Sequence, residues 1–348
     1  MDFSKPDNAR AINRLKVLSE LRGGEYSRAE LSRRVGINKV SIGDMIQDLI
    51  KEGLVTEGKK NSTTSGRPGT SVSINRTACR AFAFDIKPRA ISVSVSDALG
   101  KVLRFERFPR NSETEELVQR SIEKMKGEDI FICGSAVTGY DGTFPASIFP
   151  QPTAFIPRVI AEASAELSIN KELDGCLFLS WADSFDAAIM KGNLIHLPTL
   201  PHMKAQKDGL CSCGGKGCLE VAASGKALMD KTGALSVRDL VRNTGYASAI
   251  KEALKPIAMA LSEAVQATAA TSVIITGELS QIPDAAYTYL NGLLSSLLPP
   301  SRKITVARSA AGEKGTREGA ATAALNLFFY KTDMLKKLET IENPGYVF

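Results

Sequence analysis

Three cysteines in eight positions, Cys211, Cys213 and Cys218, sit in the run Cys-Ser-Cys-Gly-Gly-Lys-Gly-Cys-Leu-Glu that closes at Glu220. His202, one of only two histidines, lies nine residues before Cys211. Three thiolates and an imidazole can close a tetrahedral Cys₃His zinc site. The intervening glycines let the backbone turn sharply enough for the thiolates to face one ion. The alternative is a reactive or buried thiol cluster without metal. It fits poorly, because Cys79, Cys133 and Cys176 are scattered and the polar, charged stretch from Met1 to Arg10 does not read as a signal peptide. A reduced intracellular compartment favours metal over disulfides.

At 348 residues and 43% hydrophobic content, the chain can bury a large core and should divide into two or three domains. No apolar run approaches membrane-spanning length, so the expectation is a soluble, cytoplasmic protein with no membrane partner. The net charge of +6 is unevenly spread. Residues 1–76 hold 14 Lys/Arg and 9 Asp/Glu, or +5, which leaves 30 basic and 29 acidic residues, or +1, for the remaining 272. A phosphate-bearing partner therefore belongs at the N-terminus.

That N-terminal segment has helical spacing. Ile12, Leu15, Leu18 and Leu21 form one apolar face stopped by Gly23-Gly24. Ser27 and Glu30 form a capping box for a helix over Arg28 to Val35. Gly36-Ile37-Asn38 is a tight turn, and a third helix runs from about Lys39 to Glu52 with Ile42, Ile46 and Leu49 inward. Two helices joined by a short glycine turn make a helix-turn-helix, whose second helix enters the major groove; the alternative is a three-helix packing module. Leu54 to Glu57 and Ser71 to Ile74 read as a β-hairpin, a wing, joined by Gly58 to Thr70. The wing tip, Ser65-Gly66-Arg67-Pro68-Gly69, offers one guanidinium on a thin backbone, suited to a minor groove about 6 Å wide. Taken alone, it is equally an ordinary flexible loop. In the DNA-binding reading, Lys39, Val40, Ser41, Asp44 and Gln47 face bases, while Arg28, Lys59, Lys60 and Arg67 meet phosphate or minor groove. One winged helix covers half of a palindromic site, so a homodimer is expected.

From Ala81 the pattern alternates. Three strands are expected at Phe82 to Ile86, Ile91 to Ser96 and Val102 to Arg107, then a helix over Glu113 to Lys126 and a buried strand over Asp129 to Val137. Thr138 to Pro157, with four prolines, reads as loop. A helix near Arg158 to Leu167 and strands at Cys176 to Trp181 and Ala187 to Ile195 follow. Beyond the cysteine cluster come helices at Ser224 to Met229, Val237 to Arg242, Ala247 to Thr271, Ala285 to Leu298 and Thr316 to Phe329, with a strand at Ser272 to Thr276. Strands then helices, twice, describe an α/β domain of two similar halves.

These residues resemble the ROK family of repressors, open reading frames and sugar kinases, and specifically its transcriptional regulators, over nearly the whole chain. Ser27-Arg28-Ala29-Glu30-Leu31 with Gly36-Ile37, Gly53-Leu54-Val55 and Gly66-Arg67-Pro68 look like the family's winged helix-turn-helix. Cys211-x-Cys213-Gly214-x-x-Gly217-Cys218-Leu219-Glu220 is similar to its zinc signature, and Glu318-Gly319-Ala320-Ala321 to its closing helix. The resemblance implies a winged helix-turn-helix at 1–76 and, at 77–348, an actin-like, ribonuclease-H-like two-lobed domain with a zinc segment at 202–220.

In the kinases that domain holds ATP and a hexose, and the chain departs from the chemistry at four places. Asp-x-Gly-Gly-Thr of the first phosphate loop is replaced by Asp85-Ile86-Lys87-Pro88-Arg89, which lacks the glycines whose amides close on phosphate. Ile156-Pro157-Arg158 falls on the run carrying the catalytic aspartate, and a cation cannot accept the sugar's proton. The second glycine loop becomes Asp183-Ser184-Phe185-Asp186-Ala187, whose carboxylates repel ATP. Of two sugar-gripping glutamates, the first is Thr199 and only Glu220 survives. Trp181 either lines a remodelled pocket or sits in the core. Asp44 stands where the family is often basic, and either weakens binding or accepts from a cytosine amino group. The expectation is a DNA-binding regulator, a repressor rather than an enzyme, binding zinc and taking a sugar or sugar-phosphate effector through Glu220. A residual sugar kinase and a ligand-free dimerisation scaffold remain as alternatives.

Overall fold

The computed structural model describes residues 6–61, 69–127 and 130–331. By internal packing the chain forms two units, one of the described residues through Ala154 together with those from Ala321 on, the other Phe155–Ala320.

The first unit begins with three helices, α1 (Pro6–Leu21), α2 (Arg28–Val35) and α3 (Lys39–Lys51), and a small sheet of β1 (Tyr26–Ser27), β2 (Val55–Asn61) and β3 (Gly69–Ile74) in the order β1-β3-β2. The helix starts and stops lie where the sequence put them. Ser27 caps α2 by accepting from the Glu30 amide at 3.3 Å, while the Glu30 carboxylate accepts from the Ser27 amide at 2.8 Å. Gly36 ends α2 in the left-handed region at φ 70°, and Asn38 caps α3 by accepting from the Ser41 amide at 2.8 Å. Leu31, Ile42, Ile46, Leu49, Val55 and Val72 are all buried, so the helices and the hairpin share one core. The wing strands extend further than expected, pairing antiparallel from Val55 opposite Ile74 to Asn61 opposite Gly69. Its tip, residues 62–68 including Arg67, lies outside the described residues.

A five-stranded sheet follows, made of β4 (Arg80–Lys87), β5 (Ala90–Ser96), β6 (Val102–Pro109), β7 (Ile132–Thr138) and β8 (Thr153–Ile156), with α4 (Thr114–Lys126) between β6 and β7. Its order is β6-β5-β4-β7-β8, and β4 runs antiparallel to β5 but parallel to β7. Phe82, Phe84, Ile91, Val93 and Val95 pack against Val118, Ile122 and Met125 of α4. The expectation of plain loop from Thr138 to Pro157 is corrected here: a short 3₁₀ turn at Ala146–Ile148 and the strand β8 lie inside it. The prolines masked a strand because they flank it at Pro152 and Pro157 rather than interrupt it.

The second unit repeats the plan with α5 (Arg158–Ile169), β9 (Cys176–Trp181), β10 (Phe185–Lys191), β11 (Asn193–His196), α6 (Leu219–Ala223), α7 (Gly225–Thr232), α8 (Val237–Arg242), α9 (Ala247–Thr268), β12 (Ser272–Thr276), α10 (Asp284–Leu297), β13 (Val306–Arg308) and α11 (Gly315–Ala324). Its sheet order, β11-β10-β9-β12-β13, repeats that of the first sheet strand for strand; β11, β10 and β9 are successively antiparallel, and β12 runs parallel to both β9 and β13. Alternation along β9 and β12 divides the core. Leu177, Leu179, Trp181, Val273 and Ile275 face the large helical cluster, whereas Cys176, Phe178 and Ile274 face Val159 and Ala163 of α5. The single strand expected over Ala187 to Ile195 is two strands, because Gly192 at φ 65° turns the chain between Lys191 and Asn193. Trp181 is fully buried and donates its indole N–H to the Ala223 carbonyl at 2.8 Å, which makes it core rather than pocket wall. Neither α6 nor β13 was expected; at five and three residues they are too short to show a period.

Candidate metal centre and nucleic-acid interface

The second unit brings His202, Cys211, Cys213 and Cys218 together, with one ligand atom from each lying within 4.8 Å of all the others. A short 3₁₀ turn, Leu200–His202, presents the imidazole. Cys211 and Cys213 lie on a tight loop in which the Cys211 amide donates to the Gly215 carbonyl at 2.8 Å and the Gly214 amide to Cys211 at 2.9 Å. Cys218 precedes α6 and pairs across the loop with Lys204. Gly217, at φ 75°, packs so tightly that a Cβ would stand 2.0 Å from the Gln206 carbonyl oxygen. The glycine is therefore part of the scaffold that closes the loop.

The spacing of the ligand atoms tests the fit to an ion. Tetrahedral zinc with Zn–S of about 2.3 Å and Zn–N of about 2.05 Å requires S···S of about 3.8 Å and S···N of about 3.6 Å. The Cys213 and Cys218 sulfurs are 3.6 Å apart, and Cys211 Sγ lies 3.5 Å from His202 Nδ1. The donor set fits zinc. The thiols also perturb one another. The Cys213 amide and its neighbours lower Cys211 to about 7, whereas desolvation and the adjacent sulfurs push Cys218 up to about 11. Crowded thiols cannot all ionise together unless a cation sits among them.

Glu220, the expected ligand contact, lies on α6 and accepts from the Phe185 amide at 2.8 Å. Desolvation raises its pKa, and that amide offsets part of the rise. Phe185 opens β10 after the short turn that stands at the position of the second phosphate loop. At the first, β4 turns into β5 through Pro88 and Arg89 alone, with Lys87 opposite Ala90. Asp85 accepts from Thr138 Oγ1 at 2.8 Å. Arg158 opens α5 directly after Pro157.

Three acidic arrangements were missed in the sequence. Asp186 lies 2.6 Å from His196 Nε2 across β10 and β11, a pairing visible only once that hairpin is recognised. Glu162 and Glu166, one turn apart on α5, are both buried. Glu162 accepts from Thr276 at 2.6 Å and Thr316 at 2.9 Å, and Glu166 from the Ala311 amide at 2.9 Å. Desolvation raises the Glu162 pKa. A carboxyl so shifted contributes stability that is present below its ordinary value of about 4.3 and is lost as pH rises through the folded value. Glu162→Gln should therefore raise the melting temperature relative to the parent increasingly from acid to neutral pH; a pH-independent difference would contradict this.

In the first unit, α3 carries the expected base-facing residues. Lys39, Val40, Asp44 and Gln47 are exposed, Val40 at 75%, and Ser41 is half-buried. Arg28 is held by the Glu57 carboxylate on β2, so a phosphate contact requires partner exchange. Arg10 pairs with Asp48, Arg14 with Glu52 and Arg34 with Glu20. Lys59 and Lys60 lie on β2, and Arg67 falls outside the described residues.

Fold and site together define a class: duplicated α/β sheets carrying a Cys₃His knuckle, behind a helix-turn-helix with a hairpin wing. Residues 185–327 match the ROK family. Among relatives, it is 24% identical to a xylose repressor of Caldicellulosiruptor bescii over 63% of this chain and 65% of that protein. It is 22% identical to the xylose repressor of Bacillus subtilis over 69% and 74%. The chain thus spans about two thirds to three quarters of these curated relatives. Its fold is that of a ROK family transcriptional regulator described as a homologue of the E. coli MLC protein, at TM-score 0.73 and 16% identity over 94% of this chain and 99% of that one. It also matches a ROK hexokinase from Thermus thermophilus, at TM-score 0.56 and 20% identity over 70% and 97%.

Proposed function

We propose that this chain is a DNA-binding transcriptional repressor acting as a homodimer, with residues 1–76 as the DNA-binding domain and 77–348 as a ROK domain that senses a sugar without phosphorylating it. The observation that carries this reading is the capped helix-turn-helix with its hairpin, placed ahead of a ROK domain. The xylose repressors among its relatives support both the sign of regulation and a pentose as the first effector to test. The two-residue turn between β4 and β5 supports the absence of phosphoryl transfer, since it leaves no loop of amides for a nucleotide's phosphates. Zinc, held by His202, Cys211, Cys213 and Cys218, acts structurally by fixing the approach to α6.

Electrophoretic mobility shift with genomic fragments at low salt tests the reading. Retarded duplex is expected, with Arg67→Ala weakening it; no retained duplex at low salt contradicts it. A coupled ATP assay across hexoses and pentoses should show no turnover. A second reading, the ROK domain as a ligand-free scaffold, is favoured by Glu220 being engaged by the Phe185 amide. Thermal shift with xylose and phosphorylated sugars separates the two, because a bound effector raises apparent stability by mass action.

A further inference from the structure

Gly43 is the fifth of the thirteen residues of α3. A glycine inside a helix is less favourable than alanine by about 1 kcal/mol, and a packing reason usually explains it. None is present among the described residues: a Cβ built on Gly43 meets nothing within 4 Å. Gly43 lies on the outward stripe of α3, three residues after exposed Val40 and four before exposed Gln47, with exposed Asp44 beside it. The other acids of α3 and its cap, Asp48 and Glu52, are neutralised by Arg10 and Arg14 of α1. Gly43 thus leaves a position without a side chain between Val40 and Gln47, beside the carboxylate of Asp44, within a segment of net charge +5 (14 basic and 9 acidic residues in 1–76).

We propose that α3 enters the major groove along this stripe, with Gly43 the point of closest approach to the base-pair edges and Val40 packed on a thymine methyl. The proposal rests on the DNA-binding reading above and specifies its geometry. A helix with its side chains is about 10–12 Å across and the groove about 12 Å wide, so a residue without a side chain lets the backbone sit deeper. Val40 is in the first turn, where a recognition helix reaches bases, and it is a large apolar side chain left 75% exposed. An apolar side chain at that point matches the C5-methyl of thymine.

The test is Gly43→Ala in the full chain, measured for stability and for binding to a duplex selected from genomic DNA. The variant should melt at the parent temperature or above and bind about tenfold more weakly. Gly292→Ala in α10, where a Cβ also meets nothing within 4 Å, is the reference: it should gain stability and keep its affinity. Uracil substituted for thymine at single half-site positions should weaken the parent at one position and leave Val40→Ala insensitive there. If Gly43→Ala binds as the parent does, or Gly292→Ala loses as much, or no uracil position matters, the inference falls while the DNA-binding reading stands. If the parent retains no duplex, that reading falls as well.

Discussion

Zinc content should fall from stoichiometric to near zero when Cys218 is replaced by serine, and the second unit should lose on the order of 4 kcal/mol of stability, a magnitude associated with loss of a metal. Cys218 is 3% exposed and pairs with Lys204, the Leu219 amide beside it donates to the Met203 carbonyl at 2.9 Å, and the Ala205 amide donates to Gly217 at 2.8 Å. An ion at the cluster thus ties the His202 turn to α6, and through Glu220 to the start of β10. Serine substitutes a protonated hydroxyl for a thiolate, which zinc binds poorly. Cys176→Ser, at a buried thiol outside the cluster, should retain the metal. Metal analysis of protein purified without chelator checks both. Full zinc retention by Cys218→Ser, or none in the parent, would favour the metal-free thiol cluster.

A comparable loss is expected from a single methyl group at Gly319. A Cβ there would lie 1.6 Å from the Ala161 carbonyl oxygen and 2.4 Å from its carbon, so α5 and α11 meet backbone to backbone. Neither neighbour is a flexible side-chain end, so accommodation requires the helices to move apart. That disrupts the hydrogen bond from Thr316 to Glu162, which is buried and has no solvent to turn to. Overpacking ordinarily costs about 1–3 kcal/mol, and a clash between backbones belongs at or above the top of that range. Gly319→Ala should lower the denaturation midpoint by an amount corresponding to about 3 kcal/mol or more, whereas Gly292→Ala should not lower it. Equal midpoints for Gly319→Ala and the parent would contradict the packing.

Much of this was legible in the chain wherever a residue acts locally. The Ser27 capping box, the Gly36 stop and the cysteine spacing each depend on neighbours a few positions away, and each is found where the sequence placed it. The strands β9 and β12 were marked by continuous apolar runs. What the sequence withheld depends on pairing across distance. The turn at Gly192 splits an apparently continuous strand and creates the Asp186 and His196 pair. Nothing local marks Glu162 and Glu166 as buried, because their partners Thr276, Thr316 and Ser309 arrive from more than a hundred residues away. The engagement of Glu220 by the Phe185 amide, and of Arg28 by Glu57, were likewise invisible to a pattern of residue types.

Whether the proposed regulator binds DNA through its N-terminal cations is read most directly from the salt dependence of binding to a duplex selected from genomic DNA. Affinity should fall steeply and linearly on logarithmic axes as salt rises, from release of counterions by the N-terminal cations, with Arg67→Ala reducing the slope by about 1. Absence of binding at about 50 mM salt, or an affinity indifferent to salt, would contradict it.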